Sequence, residues 1–140
     1  MALINPYLNF PGNTEEAFNF YKSVFGGEFA MLQRFKDTPD GANIPTDAKE
    51  KIMHIALPIS KGNVIMGTDA LESMGHPLTI GNNFSLSITT ESEAEADKLF
   101  NSLSAGGVVT LPMAKMPWNS YFGMCTDKYK IQWMISFEYK

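Results

Sequence analysis

The sequence predicts an α+β fold built from two βαβββ modules. Three observations carry this. Two helical segments share start and apolar stripe at an offset of 79 residues, Asn13 to Ser92, and their glycine stops lie 80 apart. One short alternating run precedes each helix, and three strand-like runs follow it. The agreement of cap, stripe and stop together marks an internal duplication.

The first strand is expected over Ile4–Phe10. Asn13 then offers an N-cap, with Glu16 three residues on in the manner of a capping box. Ala17, Phe20, Tyr21, Val24 and Phe25 form an apolar stripe at helical spacing, and Gly26-Gly27 stops it. Strands are expected over Glu28–Phe35, Lys51–Ile59 and Asn63–Thr68, the last two joined by a turn at Gly62-Asn63. The second module starts with a strand over Phe84–Thr89. Its helix opens on the Ser92/Glu95 box, carries Ala96, Leu99, Phe100 and Leu103, and stops at Gly106-Gly107. Strands over Val108–Leu111, Tyr121–Thr126 and Ile131–Phe137 complete it, the last pair turning at Asp127–Lys130. Two long polar loops, Asp37–Glu50 and Ala70–Asn82, read equally as binding lids or as solvated connections. The expected organisation is one domain over 1–140, with module one at 1–70 and module two at 78–140.

Composition narrows the function. Eleven basic and 15 acidic residues give a formal net charge of −4 without a Lys/Arg cluster, which argues against nucleic acid as a partner. No run approaches the roughly 18–20 apolar residues that span a bilayer. The start, Met1 to Pro6, shows neither the basic nor the apolar region of a signal peptide. One cysteine, Cys125, fits a reducing compartment. A cytoplasmic protein is therefore expected.

Among chemistry-bearing residues, His54 stands out because it lies in an apolar strand. A neutral imidazole there could act as a base, as one metal ligand, or as a wall residue bonded to backbone. His76 sits in an exposed Gly-His-Pro turn. Asp69 and Asp127 end strands beside turns, where capping explains them. Trp118, Tyr121 and Phe122 could stack on a planar ligand or pack against protein. Neither a nucleophile elbow nor a Cys-x-x-Cys or His-x-x-x-His pair occurs.

Several stretches resemble the PhnB-like branch of the vicinal oxygen chelate superfamily, the glyoxalase/bleomycin resistance/dioxygenase proteins. They are Tyr7–Glu28, Met53–Leu57 with Val64–Asp69, and Pro117–Gly123 with Thr126-Asp127 and Gln132–Met134. The resemblance runs the length of the chain. It implies a curled eight-stranded funnel with helices outside, commonly in a homodimer. In the superfamily's enzymes the funnel holds a divalent metal on His, Gln or Glu from four strands. The corresponding positions here fall near Pro6 and on Met66, Asn83 and Gln132. None is a histidine or a carboxylate, so no metal is expected.

Alternation in the fifth strand puts Phe84, Leu86 and Ile88 toward the helix and Asn83, Ser85 and Ser87 toward the funnel. In the last strand Ile131, Trp133 and Ile135 would face the helix, and Gln132, Met134 and Ser136 the funnel. The favoured reading is a metal-free module that binds, and could sequester, a small organic molecule. Its ligand residues would be Met66, Asn83, Trp118, Tyr121, Phe122 and Gln132, with His54 as the candidate catalytic group. The alternative is a metal-dependent glyoxalase- or dioxygenase-type enzyme built around His54 with Asp69 or Glu138. Relatives of this branch also carry a demethylubiquinone methyltransferase label. That chemistry in its usual fold needs a glycine-rich strand-to-helix turn, whereas Gly26-Gly27 ends a helix.

Overall fold

A computed structural model describes residues 2–60 and 62–140. The chain divides into two compact units, Met1–Thr79 and Ile80–Lys140. This division falls within the Ala70–Asn82 loop.

In the first unit, β1 (Tyr7–Phe10), α1 (Thr14–Phe25), β2 (Met31–Arg34), β3 (Ile52–Ser60) and β4 (Asn63–Asp69) follow in order. The sheet runs β1-β4-β3-β2, with β1 parallel to β4 and the other pairs antiparallel. The second unit comprises β5 (Leu86–Thr90), α2 (Glu93–Ser104), β6 (Val108–Met116), β7 (Ser120–Thr126) and β8 (Gln132–Glu138). Its sheet runs β5-β8-β7-β6, again with one parallel pair, β5 with β8. The same order twice is the duplication seen as structure.

Each helix packs on one face of its own sheet. In the first unit Ala17, Phe18 and Tyr21 of α1 are buried with Leu8, Phe10, Ile55, Leu57 and Ile65. Phe18 meets Phe10 and Tyr21 edge-on, at centroid distances of 6.2 and 5.6 Å. Such pairs add to the gain from removing apolar area from water. Gly67 lies beneath Phe18, where a Cβ would sit 2.6 Å from the ring. The predicted stripe named Phe20 in place of Phe18, one position off the face that the sheet covers.

The helix starts differ. Ser92 caps α2, its Oγ accepting from the Glu95 amide at 3.0 Å. Asn13 makes no such bond for α1. The carboxylate of Asp69 replaces it: Oδ1 accepts from the Thr14 amide at 3.0 Å and from Thr14 Oγ1 at 2.6 Å, and Oδ2 from the Ile52 amide at 2.8 Å. A long-range carboxylate therefore ties α1, β3 and β4 together. Asp127 does comparable work in the second unit, accepting from the Tyr129 and Ile131 amides and from Trp133 Nε1. On the surface of the first unit, Arg34 forks onto Glu15 at 2.8–2.9 Å and holds its carboxyl below the usual range.

Several strand boundaries depart from expectation. The first strand starts at Tyr7, and Leu3 and Ile4 are almost wholly exposed. The Asn5 side chain and the Pro6 carbonyl instead accept from the Val64 and Met66 amides. The second strand is shorter than expected, Met31–Arg34. The sixth runs on to Met116 through Pro112, with register shifts between Val109 and Leu111 and between Leu111 and Ala114. Such irregularities are where a sheet accommodates proline. The Asp37–Glu50 loop contains the 3₁₀ turn Gly41–Asn43, and Glu72–Met74 forms another in the second loop. Among the described residues no helix is long and apolar enough to cross a membrane.

Candidate functional site

Pairing register assigns the sheet face turned away from α1. Ile55 and Leu57 pair with Gly67 and Ile65, and these four lie under α1. Alternation then places Ala56, Met66 and Val64 on the opposite face. Tyr7 and Asn9 join them, pairing with Met66 and Thr68. Met31 and Gln33 of β2 join as well, pairing with Ala56 and His54. Arg34 and Asp69, the charged residues that end β2 and β4, bond toward α1 on the other side. Among the described residues, the strands of the first unit therefore place no Asp, Glu, Lys or Arg on this open face.

At its centre Tyr7 Oη lies 3.2 Å from His54 Nδ1, with the rings tilted by 34° and their centroids 5.6 Å apart. The two residues reach each other across β4, where Met66 pairs with Tyr7 on one side and with Ala56, two residues from His54, on the other. His54 and Met66, both expected site residues, are thus brought together. Tyr7 and Gln33 were not foreseen. Alternation within a short strand gives Tyr7 a face, but only the β1–β4 pairing reveals its neighbour.

In the second unit the open face carries Phe122, Met124 and Thr126 of β7 beside Ser136, Met134 and Gln132 of β8. Leu86 and Ile88 pair with Trp133 and Ile135 on the helix side, as the alternation predicted. Trp118 sits on the β6–β7 turn, 61% exposed, and meets Phe122 edge-on at 6.0 Å. Gln132 Nε2 donates to the Phe84 carbonyl, which engages one side of its amide.

Two expected ligand residues stand elsewhere. Tyr121 faces α2, where its hydroxyl donates to Asp97 Oδ1 at 2.6 Å, so strand alternation separates it from Phe122. Asn83 precedes β5 and is exposed, because that strand starts at Leu86. Phe84, expected under the helix, is also outside the strand and exposed.

The positions that would carry the superfamily's metal do not fit one. Pro6 offers a carbonyl already bonded to the Met66 amide, Met66 a thioether, and Asn83 and Gln132 neutral amides. Hard divalent ions want carboxylates or imidazoles, about three of them. Among the described residues no three His, Cys, Asp or Glu come together in such a group. Asp69, a ligand or base in the alternative reading, is buried and committed to Thr14 and Ile52 on the helix side. Cys125 is buried, and burial with the charge of Asp127 pushes its thiol up to about 11.

Two βαβββ units of identical strand order, each with an open sheet face, define a protein of the glyoxalase/bleomycin resistance/dioxygenase fold class. Within it, the chain belongs to the PhnB-like family described as 3-demethylubiquinone-9 3-methyltransferase, whose model matches residues 2–136. It is similar to protein YjdN of Escherichia coli K12, 30% identical over 95% of this chain and 93% of that one. The crystal structure of PA1353 from Pseudomonas aeruginosa is 36% identical over 99% and 98% of the chains, with a TM-score of 0.87. The PhnB protein of Bacillus cereus is 29% identical over 96% and 98%, with a TM-score of 0.76. A glyoxalase/bleomycin resistance protein/dioxygenase family enzyme of Burkholderia phytofirmans shares the fold, at 17% identity and a TM-score of 0.63 over 95% and 97%.

The family description names methyl transfer. A doubly wound methyltransferase holds its adenosine cofactor at a glycine-rich turn from strand to helix in a largely parallel sheet. Each sheet here has one parallel pair, and the turns into α1 and α2 are Pro11-Gly12-Asn13 and Glu91-Ser92. Those residues do not form such a cofactor site.

Proposed function

We propose that this protein binds a small, neutral or mildly polar organic molecule on the open faces of its sheets, with no divalent ion. One observation carries the reading. The first unit's open face presents Tyr7, Asn9, Gln33, His54, Met66 and Thr68, a set of aromatic, amide, hydroxyl and thioether groups without charge. Such groups supply dispersion contacts and directional hydrogen bonds, and flexible thioethers make adaptable walls. The second unit adds Phe122, Met124 and Met134 under an exposed Trp118. The protein acts by binding, and holding its ligand is sequestration. Self-association belongs to the same reading, since the edge strand β6 leaves Val108 and Val109 half exposed. A reducing cytoplasm suits its unpaired, buried cysteine.

The test uses protein with ¹³C-labelled methionine methyls, titrated with uncharged aromatic fragments. Binding should shift the methyls of Met31 and Met66, or of Met124 and Met134. Shifts confined to methionines outside the sheet faces, such as Met74, would refute the site.

A further inference from the structure

The Tyr7–His54 pair says more than that a ligand could bind. The two groups can share their hydrogen bond in two ways, and chemistry favours one. A neutral imidazole nitrogen is a good base, with a conjugate acid near pKa 6.5, whereas a phenol of pKa about 10 is a good donor and a poor acceptor. The Tyr7 hydroxyl therefore donates, His54 Nδ1 accepts at 3.2 Å, and the ring proton resides on Nε2. Fixing a tautomer through the bond made by the other nitrogen is a common way to set an imidazole's role. Among the described residues no protein group bonds Nε2. Gln33 lies directly across from His54 on β2, and its amide makes no hydrogen bond within the described protein.

We infer that Tyr7 is a positioning residue that presents His54 Nε2–H as a hydrogen-bond donor, so that the first module selects organic ligands bearing an acceptor oxygen, such as aromatic carbonyl compounds. This rests on the proposed binding role of that face. The aromatic preference comes from the exposed Tyr7 ring beside the Met66 thioether. The acceptor preference comes from the Nε2 donor and the neighbouring Gln33 amide. An analogue without the acceptor oxygen forgoes that hydrogen bond and binds more weakly.

The experiment has two readouts. Long-range ¹H–¹⁵N spectra of the free protein at pH 8 report the His54 tautomer, with His76 in its exposed turn as internal reference. Acetophenone and α-methylstyrene, which differ by a carbonyl oxygen against a methylene, are then titrated against the Met66 methyl signal. We expect His54 as the Nε2–H tautomer and acetophenone binding about fivefold more tightly, the worth of one ordinary hydrogen bond. In Tyr7→Phe the tautomer should relax toward a mixture and the ratio of the two affinities should fall by half or more. A predominantly Nδ1–H tautomer overturns the inference and leaves the binding role standing. Equal affinity for the two probes overturns the acceptor selection. If neither probe shifts Met66, the inference falls together with the binding role of this face.

Discussion

Tyr7 and His54, on strands separated by β4, share a 3.2 Å hydrogen bond on a sheet face whose described strand residues include no Asp, Glu, Lys or Arg. The bond costs the fold little to lose, because both residues are partly exposed. His54→Ala should change unfolding free energy by less than about 1 kcal/mol, the net worth of one such bond. Affinity for aromatic carbonyl probes at the Met66 methyl should fall about fivefold for the same reason. Urea denaturation and methyl titration measure the two effects separately. Intact affinity would remove His54 from the site.

The buried carboxylates behave in the opposite way. Asp69 and Asp127 each accept at least three hydrogen bonds, on the helix side or in a turn. An amide would turn one acceptor oxygen into a donor facing a donor. Asp69→Asn and Asp127→Asn should each cost about 2–3 kcal/mol in urea denaturation. Losses under about 1 kcal/mol would mean that water replaces these bonds at no penalty.

The contact between Gly67 and Phe18 makes a packing prediction. A Cβ at Gly67 would approach the Phe18 ring to 2.6 Å, so Gly67→Ala should destabilise by about 1–3 kcal/mol through overpacking. Combining it with Phe18→Leu should restore part of the loss, since the two changes share one volume. Strictly additive losses in thermal denaturation would place the strain elsewhere.

Two tyrosines fix α2 to its sheet. Tyr121 donates to Asp97 and Tyr139 to Glu93. The hydrogen bond to Asp97, then burial and the nearby charges of Asp97 and Glu93, push Tyr121 up to about 12. Burial, then the bond to and the charge of Glu93, raise Tyr139 to about 12. A pKa raised on folding means that the folded state favours the neutral phenol. Its stabilisation is complete below the unfolded value, near pH 10, and is lost as the pH rises through about 12. Stability measured from pH 9 to 12 should decline, and Tyr121→Phe should flatten part of that decline. An unchanged slope in the variant would show that Tyr121 does not titrate in a coupled manner.

Much of the fold was legible because its signals are local. The Ser92 cap, the glycine stops and the alternation of Ile131, Trp133 and Ile135 each need a few neighbouring residues. What sequence missed depends on distant pairing. Asn13 fits a cap by its neighbours, yet Asp69 supplies the capping carboxylate from 55 positions away. The sixth strand is expected to stop at Leu111, but β7 holds β6 on through Pro112 by shifts of register. The site shows the same division. His54 could be named from its strand and Met66 from the family resemblance, whereas Tyr7 joins them only through β1–β4 pairing. Tyr121 and Phe122 are adjacent in sequence and lie on opposite faces.

The central claim is binding of an organic molecule without a metal, and native mass spectrometry tests it most directly. Untagged protein would be weighed as purified and after incubation with Zn²⁺, Ni²⁺, Mn²⁺ and Fe²⁺. The account predicts that no ion is retained and that an aromatic carbonyl compound such as acetophenone adds stoichiometrically, with less adduct in His54→Ala. One ion retained per chain in the wild type and lost in His54→Ala would contradict it and put metal-assisted chemistry in its place.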